Sequence, residues 1–185
     1  MIGCATQRSG DVSSRLDTDT GVTYVTLARA LGFADSQPQL TTSARDYVYL
    51  GPVEINRMGA RQHFLWVGVA TTIDRDLADA TWPGTVAISF VLDGEPMVLP
   101  LQDWVATSRS STPYDPPAPL LENLGVAVSV DQIALIARAK TLELRLHLAN
   151  DRIRRFKPWG GNRRQWQSFL AGKVAQPPLS ALERH

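Results

Sequence analysis

The chain has 185 residues, 44 % of them hydrophobic, with 19 basic and 18 acidic side chains, a formal net charge of +1 and one cysteine. These figures exclude a collagen-like, disulfide-framework or wholly disordered chain, and they suit a single domain with a real core. No apolar run approaches the roughly 20 residues of a membrane-spanning helix, and the near-zero net charge gives no global case for a nucleic-acid binder.

Cys4 is the only cysteine, so neither an intramolecular disulfide nor a cysteine metal cluster can form. Met1-Ile2-Gly3-Cys4 is similar to the end of a bacterial lipoprotein signal peptide. There an aliphatic and then a small residue precede the cysteine that becomes lipidated. Met1 departs from the usual aliphatic place. The resemblance implies palmitate or a like acyl group on Cys4 and anchoring in the cell envelope. Ala5 after the cysteine, rather than aspartate, points by the same resemblance to the periplasmic face of the outer membrane. Residues 5–20 hold only Val12 and Leu16 as larger apolar residues, which predicts a flexible tether over residues 1–20.

Val22 to Leu27 is β-branched and aromatic and reads as a strand. Residues 32–45 read as a loop. Asp46 to Asn56 reads as a strand that lies at an edge or bulges at Gly51-Pro52, because proline cannot donate to a ladder. Met58-Gly59 is a turn. Arg61 to Ile73 is apolar on both faces and reads as a central strand. Val86 to Leu92 and Glu95 to Leu101 flank Asp93-Gly94, a strong hairpin signal. The proline-rich residues 108–119 read as an extended surface loop.

The last third adds helices. Ser129 and Gln132 form a capping box ahead of a helical period through Ile133 and Ile136. Leu142 to Leu148 alternates as a half-buried strand, and Arg152 to Phe156 returns as a short one that Pro158 breaks. Asn162 repeats the capping pattern before Trp166, Phe169 and Leu170. The resulting expectation is a mainly β protein, an antiparallel sandwich or flattened barrel (immunoglobulin-like), with two short helices in the C-terminal third. One domain spans 21–173, with a flexible tail over 174–185.

Candidate chemistry is sparse. No nucleophile elbow, paired-histidine helix or phosphate loop is present, so no catalytic residue, cofactor or metal is expected. His63 and His147 fall on strands and His185 ends the chain. Asp74, Asp76 and Asp79 come nearest to a cation loop but lack its glycine and terminal glutamate. From Arg145 to Lys173, eight basic residues face one acid, a segment of +7 that leaves −6 elsewhere. Within it, Arg152, Arg154, Arg155, Lys157, Arg163 and Arg164 are candidate contacts for an anionic ligand. Trp82 and Trp159 sit at expected turns and are candidate aromatic platforms.

Over 22–173, the Asp46-Tyr-Val-Tyr-Leu-Gly-Pro52 stretch and the Phe64-Leu-Trp-Val-Gly68 strand resemble the uncharacterised lipoproteins of proteobacteria. The plan of the last third, a capped helix, two strands and a final helix, resembles the periplasmic invasion-associated locus B proteins. Neither resemblance implies a reaction. The expected function is a lipid-anchored envelope protein serving as a binding or structural accessory module, more a binder than an enzyme. Its partners would be the membrane and an unknown protein or envelope component. One alternative is a hydrolase of envelope polymers with a loop-built site. A second is nucleic-acid or anionic-polymer binding through 145–173, although an envelope address argues against nucleic acid. Open strand edges would allow a dimer.

Overall fold

Alternating, β-branched segments dominate this chain, and they fold almost entirely as antiparallel strands. A computed structural model describes residues 6–9, 11–18, 20–36, 45–71, 82–104 and 112–174. Among these lie β1 (Thr6–Ser9), β2 (Val12–Asp17), β3 (Val22–Leu27), β4 (Leu31–Ser36), β5 (Arg45–Arg57) and β6 (Ala60–Thr71). β7 (Thr85–Leu92), β8 (Glu95–Pro100), β9 (Gln102–Asp103) and β10 (Leu120–Ala127) follow. The last third supplies helix α1 (Val130–Arg138), β11 (Leu142–Leu148), β12 (Ile153–Gly160) and helix α2 (Arg164–Val174). Cys4, Asp74, Asp76, Asp79 and His185 lie outside the described residues.

The strands pair in the order β10–β6–β5–β4–β12–β11–β7–β8, and β9, which prolongs β8 past Leu101, pairs back onto β10. The sheet is thereby nearly closed into a barrel, a mainly β antiparallel fold with two short C-terminal helices as expected. β1, β2 and β3 form a ribbon that joins β5 beside β4. The helices pack on each other; α2 also reaches β2 and β3, and α1 reaches β7.

Alternation divides the core into two layers. Phe33, Val48, Leu50, Val67 and Val69 share the inner face with Ile88, Phe90, Leu144, Leu146 and Phe156. All are buried, each contributing about 1.5–3 kcal/mol. On the outer face of β5, β6 and β10, Trp66 and Trp104 lie buried over glycines as well as against Tyr114 and Phe64 respectively. A Cβ on Gly68 would meet Trp66 Cη2 at 2.6 Å, and one on Gly125 would meet Trp104 Cε3 at 2.7 Å. Trp66 Nε1 donates to Asn123 Oδ1 at 2.6 Å, which satisfies its one donor.

Several expectations are corrected. Residues 12–17, placed in the flexible tether, form β2, so the ordered fold starts before residue 21. Their low hydrophobicity is offset by backbone pairing to β3, which does not depend on side chains. Residues 32–36, read as loop, belong to β4, which is held between β5 and β12. β5 is flanked by β6 on one edge and by β4 and β3 on the other, and only Gly51-Pro52, where an edge was expected, lacks a strand on that second side. β12 continues through Pro158 by a register shift between Pro158 and Gly160 instead of stopping at Phe156. The segment from 112 to 119 has no helix or strand and lies at the surface as expected, but Tyr114 within it is buried.

The local signals behave as read. Ser129 Oγ accepts from Gln132 N at 3.1 Å while Gln132 Oε1 accepts from Ser129 N at 2.8 Å. Asn162 Oδ1 accepts from Arg164 N at 3.0 Å, and Trp166 and Phe169 are buried. Asp93 and Gly94 take φ of 51° and 99°, as a two-residue hairpin turn requires.

Asp93 also pins this hairpin to the start of β11. Its carboxylate accepts from Thr141 N at 2.7 Å and Lys140 N at 3.1 Å. These backbone donors, Thr141 first, hold its carboxyl below the ordinary value of 3.8. A lowered folded value means that the stabilisation is complete above the unfolded value and is lost as pH falls through the folded one. Asp93→Asn keeps the left-handed turn and removes the charge. Urea titrations should therefore show wild type ahead of the variant at about pH 5, with the gap closing as the pH falls below the ordinary carboxylate value. A gap independent of pH would refute this role.

Candidate functional site

The outer face of β4 and β5 carries small or flat residues: Gly32, Ala34, Tyr47 and Tyr49. The Tyr47 and Tyr49 rings are nearly parallel, 12° apart with centroids at 6.2 Å. Desolvation first, and the Tyr47 hydroxyl second, raise the Tyr49 phenol above its usual value, so it remains a donor at neutral pH. Gly32 lies beside β12, its Cβ position at an ordinary contact distance of 3.6 Å from the Gly160 carbonyl oxygen.

A strap running from Tyr114 to Ala118 crosses this face and leaves an open cleft of about 700 Å³. Pro116 and Pro117 form one wall, Trp159 with Gly160 and Gly161 the other, and Tyr47 and Tyr49 the floor. The link from Ala28 to Ala30 closes one end and contributes Arg29; Asp115 is the one carboxylate in the lining. Behind the Trp159–Gly161 wall lies a second cavity of about 310 Å³, with Lys140 and Arg163 among its lining residues. Arg163 Nη2 donates weakly to the Lys140 carbonyl at 3.5 Å, and Lys140 also shares the field of Asp93.

The strap is fixed by Tyr114. Its hydroxyl donates to the Pro52 carbonyl at 2.6 Å and accepts from Leu27 N at 3.2 Å. Burial pushes this phenol well above its usual value, with the Leu27 N–H offsetting part of the shift. Its ring packs on Trp66, centroids 5.4 Å apart.

The six basic candidates separate. Arg154 points inward and is taken up by two carboxylates, Nη2 to Asp35 at 2.6 Å and Nη1 to Asp46 at 2.7 Å. Its assignment as a ligand contact is therefore corrected, because the β12 alternation turns it to the face that carries Phe156. Arg155 and Lys157 alternate with it and are exposed on the outer face. Neither has an ion-pair partner among the described residues. Arg152 and Arg164 are exposed, Arg152 in the β11–β12 turn and Arg164 at the start of α2. Arg163 belongs to the second cavity.

The two tryptophan platforms separate as well. Trp82 is half-buried and its Nε1 donates to Glu122 Oε2 at 2.9 Å, while Glu122 Oε1 accepts from Thr85 N at 2.9 Å. Trp82 thus covers the seam between β7 and β10. Trp159 is 60 % exposed and forms the cleft wall. His63 pairs with buried Glu54 at 3.1 Å, and His147 Nε2 lies 2.8 Å from Ser89 Oγ. No carboxylate among the described residues completes a triad with Ser89 and His147, and neither lines the cleft. Sequence reading missed the tyrosine floor and the strap. The alternation of Tyr47 and Tyr49 is visible in the sequence, but nothing local shows that the residues opposite them on β4 are Ala34 and Gly32.

No protein-family model, curated protein or solved structure matches the chain.

Proposed function

We propose that the protein is a lipid-anchored binding module of the bacterial cell envelope, with Cys4 as the lipidated residue and the cleft beside Trp159 as its contact site. The observation that carries the binding reading is the cleft itself. A concave site lined by aromatic rings and prolines, with a few polar groups at its margins, is the usual form of a ligand site. An exposed tryptophan ring there offers a large, rigid contact face. The address rests on Gly3-Cys4 and on Ala5, which favours the periplasmic face of the outer membrane.

Two measurements test the two halves separately. Expression with labelled palmitate should mark wild type and leave Cys4→Ser unlabelled; equal label on both, or none on wild type, ends the anchor reading. For the cleft, tryptophan fluorescence is followed while purified envelope glycans and lipids are titrated into the protein. A change that saturates in wild type and disappears in Trp159→Ala supports the site. Titrations that leave wild type unchanged, or that survive in Trp159→Ala, refute it.

A further inference from the structure

The binding cleft does not end at Trp159. Beyond Trp159, at the register shift, β12 carries alternate residues on its outer face: Lys157, Arg155 and Ile153, all exposed. In a strand such residues recur about every 7 Å on one side. Lys157 lies opposite Ala34 in the register, and Ala34 opposite Tyr47, so the first cation stands in the row next to the tyrosine floor. Arg155 comes one step further out, opposite Arg145 on β11. Arg145 is occupied by Glu143 at 2.6 Å, whereas Arg155 and Lys157 have no acidic partner among the described residues. Arg29 adds a cation at the closed end of the cleft. An aromatic trough is thus prolonged by a line of positive charge that no carboxylate among the described residues pairs with.

We propose that this trough and line hold an acidic polysaccharide, with sugar rings against Trp159 and the Tyr47–Tyr49 floor and carboxylate or phosphate groups against Lys157 and Arg155. The inference rests on the binding-module reading and names its ligand class. Three features select this class. The cleft is partly open to solvent rather than an enclosed tunnel, so it suits a polymer chain better than a buried acyl chain. The tyrosine rings keep their hydroxyls, and the Ala28–Ala30 link and the Gly160–Gly161 turn bring backbone polar groups to the margin. A pyranose presents the complement, an apolar face bordered by hydroxyls. Apart from Arg29 in the cleft itself, the cations Lys157 and Arg155 lie outside the aromatic trough, so negative charges must extend beyond the part that meets the rings, as they do in a polymer with acidic substituents. Single-stranded nucleic acid also combines charge with stacking, but it calls for aromatic platforms along the cationic track. Here the rings are confined to the trough.

Full-length protein is titrated with a short oligogalacturonate, with the same oligomer fully methyl-esterified, and with a single-stranded oligonucleotide of matched charge, at low and high salt. The acidic glycan should bind most tightly and weaken with salt. Arg155→Glu with Lys157→Glu should weaken it about tenfold or more, and Trp159→Ala about tenfold. These side chains are exposed, and circular dichroism checks that the variants stay folded. Arg138→Glu, an exposed change on α1, serves as the control and should bind as wild type. Equal binding of the esterified glycan would overturn the acidic preference and leave the cleft as a glycan site. Tighter binding of the oligonucleotide would overturn the glycan class. Binding of neither glycan would also overturn it, while the envelope panel above still judges the binding module on its own.

Discussion

Replacing Tyr114 by phenylalanine should cost about 1–3 kcal/mol of stability, although the ring and its packing remain. β5 has β6 along one edge, but on the other edge it has β4 up to Leu50 and β3 from Val53. Between them, at Gly51-Pro52, no strand is present. Proline lacks an N–H, so the gap holds no orphan donor of its own; it does hold the Pro52 carbonyl and the last N–H of β3, at Leu27. The Tyr114 hydroxyl satisfies both, donating at 2.6 Å and accepting at 3.2 Å. Its removal leaves two buried backbone groups unpaired. The corresponding fall in melting temperature is about 2–4 °C per kcal/mol for a chain of this size.

Tyr114→Ala should cost more, about 3–5 kcal/mol, since a buried ring is also lost. Gly51 gives a sharper test. A Cβ there would lie 2.3 Å from Tyr114 Cζ, so Gly51→Ala must expel the ring and should destabilise nearly as much as Tyr114→Ala. In the Tyr114→Ala background the clash is gone, and Gly51→Ala should then cost little. Such non-additivity identifies contact between the two sites. Additive losses in urea titrations would mean that the ring does not fill the gap. Because the strap walls the cleft, Tyr114→Ala should also abolish cleft binding under conditions where the protein remains folded.

This device shows where sequence reading stops. Features carried by residues within four positions of one another were legible: the Asp93-Gly94 turn, the Ser129–Gln132 capping box, and the Trp166 and Phe169 face of α2. The strand pattern was enough for a mainly β antiparallel fold. The proline at 52 was legible as an interruption, but not as a seat for a side chain 62 residues further on. The same limit explains β2 and β4. Both are polar or glycine-containing, and both exist because a neighbouring strand supplies the backbone partners that their own side chains do not signal. The cleft is a still less local object, since its floor, its two walls and its closed end come from four separated segments. The basic segment was legible as a charge sum. Which of its members are available was decided by strand alternation against an acidic pair on two other strands.

Arg154 makes that last point measurable. Its side chain is 15 % exposed and that of Asp46 is 7 % exposed, and the guanidinium joins β12 to Asp35 on β4 and Asp46 on β5. Asp46 also accepts from Thr71 Oγ1 at 2.5 Å, which extends the network to β6. Arg154→Met keeps most of the apolar volume beside Phe156 but leaves two carboxylates without their cation. Breaking a buried pair on one side costs about 3–5 kcal/mol, because the remaining charge is uncompensated. Removing charge on both sides should cost less: Arg154→Met with Asp46→Asn should recover part of the loss, as a coupled pair requires. If the double variant lost the sum of the two single effects, the network would not act as a unit. The comparison with Lys157, three residues along the same strand, then separates structure from recognition. Arg154→Met should lower the urea midpoint and, while folded, leave the salt dependence of anionic-glycan binding unchanged. Lys157→Glu should do the reverse, because one side chain neutralises charge within the barrel and the other faces water beside the cleft.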